Sequence, residues 1–256
     1  MTPKVSTLIC ADKFNDYFKQ AIDSCLNQTF TDFEIILVVN GVSIEEKSNF
    51  INFLKRFERV HLYFTDVHCL TYNLNFGLNK CNGFYIARMD ADDISYPERL
   101  EKQIFFMDNN TNIGICGSWF EFIDENNKKI RDIRLPVTDM EIRRSLYWSN
   151  PICHPSVMIK KDILKKVCGY MGGLYAQDYD LWLRIALDKS VKFYNIPEVL
   201  IGYRMVSIGK ARGSRLSYAN SAGYHLRNFL LTFNPLWLFG SFLYIFKLFV
   251  NCKSKI

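Results

Sequence analysis

Residues 84–100 read FYIARMDADDISYPERL. The apolar run Phe84–Ala87 predicts a buried β-strand, and the segment after it predicts a helix. Ser95 and Glu98 stand at capping-box spacing, and Pro97 suits a first helical turn, where its missing N–H costs nothing. Asp90, Asp92 and Asp93 therefore fall at the carboxyl end of a strand, where open α/β sheets bind ligands. Crowded carboxylates repel and raise one another's pKa, so a positive charge is expected among them. A hard divalent cation, Mn²⁺ or Mg²⁺, carrying phosphate oxygens matches such donors. The spacing alone leaves open a solvated acidic turn that only caps a helix.

Strand and helix signals alternate on the amino-terminal side of this stretch, which argues for βαβ units and a mostly parallel sheet. Val5–Cys10 reads as a strand, and residues 15–27 as an amphipathic helix with Ala21, Ile22 and Cys25 inward. Glu34–Val39, EIILVV, is a continuous apolar run of the kind buried on both faces, ending in the turn pair Asn40-Gly41. A helix near 44–57, a strand near 59–65 and a helix near 71–80 follow. Beyond Ile113, IGICGSWFEFID and KKIRDIRL read as a hairpin around residues 125–127. Residues 138–148 look helical, 154–159 extended and 178–187 helical.

The 256 residues suffice for one large core or for one domain with an appendage. Nearly half are hydrophobic, with 21 Phe and 14 Tyr, which excludes a disordered or fibrous chain. Eight cysteines form no C-x-x-C pair and no zinc-spaced cluster with histidine, so they read as buried thiols of a reducing compartment. The amino terminus lacks a long apolar signal segment, and a cytoplasmic orientation is expected.

Charge is uneven. Of a net +6, eight Lys or Arg and no Asp or Glu lie from Leu200 onward. This basic end contains FLLTFNPLWLFGSFLYIF, residues 229–246, without a charge. As a straight helix it would reach about 27 Å, marginal for a hydrocarbon core of about 30 Å. Trp237 and Tyr244 suit a headgroup boundary, and Arg215, Arg227, Lys247, Lys253 and Lys255 suit anionic lipid. The expectation is an interfacial or re-entrant attachment, peripheral or monotopic, on the inner face of the cell membrane. A buried helix that forms an oligomer is the alternative. Nucleic acid is not expected as a partner, because the basic residues border greasy sequence rather than a polar groove.

The ordered set of these segments resembles family 2 glycosyltransferases of the GT-A fold, the type that assembles bacterial surface polysaccharides. VSTLICADKFNDYFKQAIDSCLNQTFTDFEIILVVNG is similar to the family's opening strand, helix and second strand. NLNFGLNKCNGFYIARMDADD resembles the run ending in its metal-binding D-x-D motif. NPICHPSVMIKKDILKKVCGY and YAQDYDLWLRIAL resemble its acceptor-side segment. The resemblance spans roughly residues 4–205. It implies a Rossmann-like nucleotide-sugar fold with a nucleotide-binding half (1–110), an acceptor-side half (111–205) and a membrane-associating tail (206–256).

The same resemblance assigns roles. Asp92 is the first choice as metal ligand, Asp90 lies near the ribose or the metal's water shell, and Asp93 orients that shell or caps the next helix. Asp178 aligns with the family's general base, which must take the proton of an attacking sugar hydroxyl. Asp180 is the second candidate, better suited to structure or acceptor binding. Asn75 and Gly77 resemble residues near the nucleotide, and Arg88 is placed to balance the acidic cluster or touch diphosphate. His154 is a candidate for diphosphate or acceptor contact, with a structural role as the alternative; the aromatic faces of Trp148 and Trp182 suit stacking on a sugar, although Trp182, on an apolar helix face, fits the core better.

Three departures from the family pattern bear on the donor. Asn40 replaces the second Asp of an Asp-Asp-Gly turn, and its amide suits a uracil edge. Cys10–Lys13 lacks the usual aromatic near the base, and Met205-Val206 lacks the histidine that often follows Tyr-Arg. The expectation is a metal-dependent, inverting transfer from a nucleoside-diphosphate sugar, UDP-linked by preference, to a lipid-linked or oligosaccharide acceptor. A degenerate nucleotide-binding or scaffold subunit of a glycan-assembly complex is the competing reading.

Overall fold

The computed structural model describes residues 2–205 and 214–250. Its first half alternates β1 (Val5–Ala11), α1 (Asp16–Leu26), β2 (Phe33–Asn40), α2 (Ile44–Leu54), β3 (Val60–Thr65), α3 (Leu70–Leu78) and β4 (Tyr85–Asp90). Next come the short β5 (Ile94–Ser95), α4 (Arg99–Asn109) and the hairpin β6 (Ile113–Ile123) and β7 (Lys129–Ile133). α5 (Asp139–Ser145), a 3-10 turn (His154–Ser156), β8 (Met158–Lys160), α6 (Lys161–Lys166), α7 (Gln177–Ile185) and β9 (Lys192–Arg204) complete the sheet region. Two helices close the described chain, α8 (Arg215–Thr232) and α9 (Pro235–Val250).

One nine-stranded sheet runs in the order β3-β2-β1-β4-β8-β6-β9-β5, with β7 paired to β6. Pairing is parallel from β3 through β4 and between β6 and β9, and antiparallel elsewhere. The apolar runs explain the parallel half: β1 is buried throughout and β2 to its last residue, because helices cover both faces. α1, α2 and α4 pack one face through residues such as Phe18, Phe50 and Ile104, and α3 and α7 pack the other through Leu74 and Leu181. Asn15 caps α1, and Ser43 with Glu46 forms a capping box on α2.

The structure corrects several local expectations. Ser95 and Glu98 form no capping box. α4 starts at Arg99 with no side-chain cap, and Pro97 precedes it, because Ile94 and Ser95 pair with Gly202 and Ile201 of β9. Residues 154–156 are a 3-10 turn rather than extended. Phe84 is exposed, and so is the thiol of Cys168. Lys253, Lys255, Cys252 and Val206 lie outside the described residues.

The carboxyl-terminal segment is two helices packed on the sheet domain. Trp237 and Tyr244, expected at a headgroup boundary, are buried instead, Trp237 against Tyr147 (ring centroids 4.2 Å) and Tyr244 against His225 (5.1 Å). Gly240 permits this approach, since a Cβ there would stand 2.5 Å from the Tyr147 carbonyl oxygen. Arg227 and Lys247, expected at lipid, are engaged internally: Arg227 pairs with Asp180, and Lys247 donates to the Trp148 carbonyl. Among the described residues no helix is long and apolar enough to cross a membrane.

Candidate active site

β1, β2 and β4 end side by side, with Cys10 in register with Val38 on one neighbour and Asp90 on the other. At this carboxyl edge, where open α/β sheets form their ligand cleft, stand Asn40 at the end of β2, Asp90 at the end of β4 and Asp92 in the turn beyond it. Along β4 the side chains alternate, so Tyr85, Ala87 and Met89 enter one core layer while Ile86 enters the other. Arg88 shares the side of Ile86 and is buried beneath the cleft, where its Nη2 pairs with Asp90 Oδ1. Burial opposes its charge most strongly, but the Asp90 carboxylate and its hydrogen bond, together with Cys10 and Tyr170, outweigh burial and hold the guanidinium protonated. Among the described residues, Nε and Nη1 of Arg88 find no hydrogen-bond partner.

The three carboxylates of the motif occupy three different environments. Asp90 is half-buried and engaged by Arg88. Asp92 is reachable from solvent, and desolvation within the cleft, then the charge of Asp90, push its carboxyl up to about 6. Asp93 is buried, and burial followed by Asp90 and Asp92 pushes it well above the usual carboxylate range. Asp93 does not cap α4. Its Oδ1 accepts from the backbone N–H of Arg204 at 2.8 Å, which ties the motif to the end of β9. Among the described residues no group of three or more His, Cys, Asp or Glu is arranged to hold a metal by itself. Among the described residues Asp92 is the exposed carboxylate of the three that no ion pair engages, so it is the one that could serve a cation as an oxygen donor.

Asp178 lies in the first turn of α7, entered through Ala176 in the left-handed conformation. Asn150 Nδ2 donates to Asp178 Oδ2 at 2.7 Å and fixes the carboxylate. Burial raises the Asp178 pKa, hydrogen bonds from Tyr179 and Asn150 lower it, and the charge of Asp90 raises it again. Asp178 and Asp90 are thus near enough for their charges to interact. Asp180 is spent on structure: its two oxygens meet Arg184 Nε at 2.7 Å and Arg227 Nη1 at 2.5 Å.

His154 Nε2 lies 2.9 Å from the Tyr170 hydroxyl. Burial and the Arg88 charge lower its pKa well below the ordinary value, so it enters the site as a neutral hydrogen-bonding group. Trp182 is fully buried 6.2 Å from the His154 ring and offers no face to a sugar. Trp148 packs against Phe239. Asn75 uses its amide on the backbone of Tyr170, accepting at 2.9 Å and donating at 2.7 Å, and Gly77 sits so close to Leu8 that a Cβ would lie 2.4 Å away. Packing accounts for Asn75 and Gly77 without a nucleotide.

Sequence reasoning missed Asn150, Tyr170 and Arg204. Asn150 opens the quoted NPICHP run and Arg204 closes YR, but neither segment reveals which side chain faces which carboxylate.

The α/β sheet carries an acidic turn at its strand ends, the edge at which sheets of this class bind ligands, with the oriented Asp178 carboxylate near it. The family model "Glycosyl transferase family 2" matches residues 7–168. The O-antigen biosynthesis glycosyltransferase WbnJ of Escherichia coli is 36% identical over 228 residues, covering 88% of this chain and 89% of that protein. The chain belongs to glycosyl transferase family 2 and is a glycosyltransferase. It is also 29% identical, over 88% of its length and 83% of the relative's, to the UDP-Gal:α-D-GlcNAc-diphosphoundecaprenol β-1,3-galactosyltransferase of Escherichia coli. The fold matches a mannosyltransferase of Pyrobaculum calidifontis, solved with GDP-Man and Mn²⁺, at TM-score 0.65 and 15% identity, over 97% of this chain and 72% of that one.

Proposed function

We propose that the chain transfers one sugar, with inversion, from a nucleoside-diphosphate sugar to a hydroxyl of a lipid-linked or polysaccharide acceptor in cell-surface glycan synthesis. The observation that carries the reading is Asp178, held by Asn150 and close enough to Asp90 for the two charges to interact. Asp178 accepts the acceptor hydroxyl's proton while that oxygen attacks the anomeric carbon and the bond to the diphosphate breaks. A carboxylate whose pKa is raised by burial is better matched to that proton than an ordinary one. A single displacement needs no covalent enzyme nucleophile.

The donor side uses Asp92, with Asp90, to hold Mn²⁺ or Mg²⁺, which when bound stabilises the charge building on the departing diphosphate. The unpartnered Nε and Nη1 of Arg88 are donors suited to phosphate oxygens. Asn40, half-buried at the end of β2, suits the base edge. A UDP-linked donor and an undecaprenol-linked acceptor are favoured by the name of the galactosyltransferase relative. Such an acceptor calls for peripheral or monotopic association with the inner membrane face.

Calorimetric titration with UDP, GDP, dTDP and CMP, with and without Mn²⁺, tests this reading. Mn²⁺-dependent binding of one diphosphate, weakened at least about tenfold in Asp92→Ala, is the expected result. Folded protein that binds none of the four overturns it.

A further inference from the structure

In the hairpin of α8 and α9, α9 is apolar on both its inner and its outer side. Trp237, Gly240, Ser241 and Tyr244 form the inner stripe of α9, buried at i, i+3, i+4 and i+7. On the outer side Phe239, Phe242, Phe246 and Phe249 recur at i, i+3, i+7 and i+10, each at least 60% exposed. Leu230 and Leu231 at the end of α8 are exposed as well. A helix face turned to water is ordinarily polar, so a stripe of four phenylalanines requires a non-aqueous partner. α9 has 16 residues. At about 24 Å it falls short of a hydrocarbon core of about 30 Å, and a helix of this kind lies along an interface.

We propose that the outer face of this hairpin docks the protein onto a bilayer surface containing anionic lipid. The proposal deepens the reading of a lipid-linked acceptor and rests on it for its purpose. Charge selects lipid over a second copy of the chain. No Asp or Glu follows Glu198, whereas eight Lys or Arg do. Two copies meeting through this face would bring like charges together, while anionic headgroups complement them. Arg204, Arg227 and Lys247 are engaged internally. Arg215 is exposed at the start of α8, and in sequence Lys210, Arg212, Lys253 and Lys255 flank the hairpin.

The hairpin is also joined to the catalytic side. Gly173 N donates to Tyr224 Oη at 2.8 Å, and Asn220 Nδ2 donates to the Tyr175 carbonyl at 3.1 Å. These bonds pin the loop that leads to Asp178 onto α8, and that loop exposes two more apolar side chains, Met171 and Leu174. Docking through the hairpin holds the base one helix away from a lipid surface, where the hydroxyl of a lipid-linked acceptor resides.

Vesicle flotation of the full chain tests the proposal. The protein floats with phosphatidylglycerol-containing vesicles at low salt, is released by high salt, and floats poorly with phosphatidylcholine alone. Phe242→Ser/Phe246→Ser lowers the bound fraction about tenfold or more while circular dichroism and nucleotide titration remain those of the parent. Parent protein that stays down with anionic vesicles overturns the proposal. So does equal, salt-independent flotation with both vesicles, or a dimer in sedimentation that the double substitution dissolves. Nucleotide titration is a separate readout. Flotation without nucleotide binding removes the transferase chemistry and leaves the docking, and nucleotide binding without flotation removes the docking alone.

Discussion

Arg204 Nε donates to the backbone carbonyl of Asp92 at 2.6 Å, while the backbone N–H of the same residue donates to Asp93 Oδ1. Its guanidinium also reaches Asn127 Oδ1 (2.6 Å), the Asp124 carbonyl (3.0 Å) and Gln20 Oε1 (3.1 Å), and it lies over the Tyr17 ring. One buried arginine thus fixes the acidic turn to β9, the β6–β7 turn and α1. A planar fork can serve this many acceptors and an ammonium cannot. Arg204→Lys is expected to weaken Mn²⁺-dependent nucleotide binding about tenfold or more, and Arg204→Ala to cost about 2–4 kcal/mol of stability as well. Calorimetry and urea unfolding check both. Full retention of affinity in Arg204→Lys would remove Arg204 as a positioning residue.

Asp178→Asn is expected to lower turnover by about 10²–10⁴-fold with nucleotide affinity unchanged, since only the proton acceptor is lost. Asn150→Ala gives a subtler signature. The Asn150 hydrogen bond lowers the Asp178 pKa, so its removal lets that pKa rise. A base works deprotonated, and the acidic limb of the kcat/KM profile then moves to higher pH. A limb that stays put in Asn150→Ala would assign the acidic limb to another group.

Asp92 carries a pH prediction of its own. Its carboxyl is raised to about 6 in the folded chain, above the ordinary value near 4. Above pH 6 the group is charged in both folded and unfolded states, and the fold bears the cost of holding it. As pH falls from about 6 to about 4 the folded chain takes up the proton first, and that cost is relieved. Asp92→Asn should therefore stabilise the metal-free protein above pH 6 and leave it unchanged near pH 4. The side chain is exposed, so the gain is held to less than about 1 kcal/mol. Thermal unfolding across pH reads this out, and a destabilised Asp92→Asn at pH 8 would contradict it.

These carboxylates show how much the sequence displays and why it stops. Asp90, Asp92 and Asp93 were legible as a strand-end cluster because β4 is an apolar run with turn chemistry behind it. Their division into a paired, an open and a buried group was not, because Arg204 lies 112 residues from Asp92 and Asn150 lies 28 from Asp178. The FLLTFNPLWLFGSFLYIF run was legible as apolar and helical, and the structure divides it between the end of α8 and α9. Which side turns inward was not, since Trp237 and Phe239 are equally apolar and only the fit against Tyr147 and His225 decides. Ser95 misled for a related reason: local cap spacing lost to pairing with Ile201 on a distant strand.

Asp180 and Arg227 join α7 to the hairpin, and the energetics of that bond are separable from the chemistry proposed for Asp178. Asp180 is buried between Arg184 and Arg227, so Asp180→Asn leaves two guanidinium groups facing a neutral amide and should cost about 3–5 kcal/mol. Arg227→Ala leaves Asp180 still paired with Arg184 and should cost less, about 1–3 kcal/mol, while loosening α8 from α7. The double variant should then fall short of the sum of the two singles, as expected for residues sharing one network. Urea unfolding of the four proteins measures the coupling. Strict additivity would mean that Arg227 draws its contribution from packing on Tyr224, whose ring it overlies at 5.7 Å, and not from Asp180.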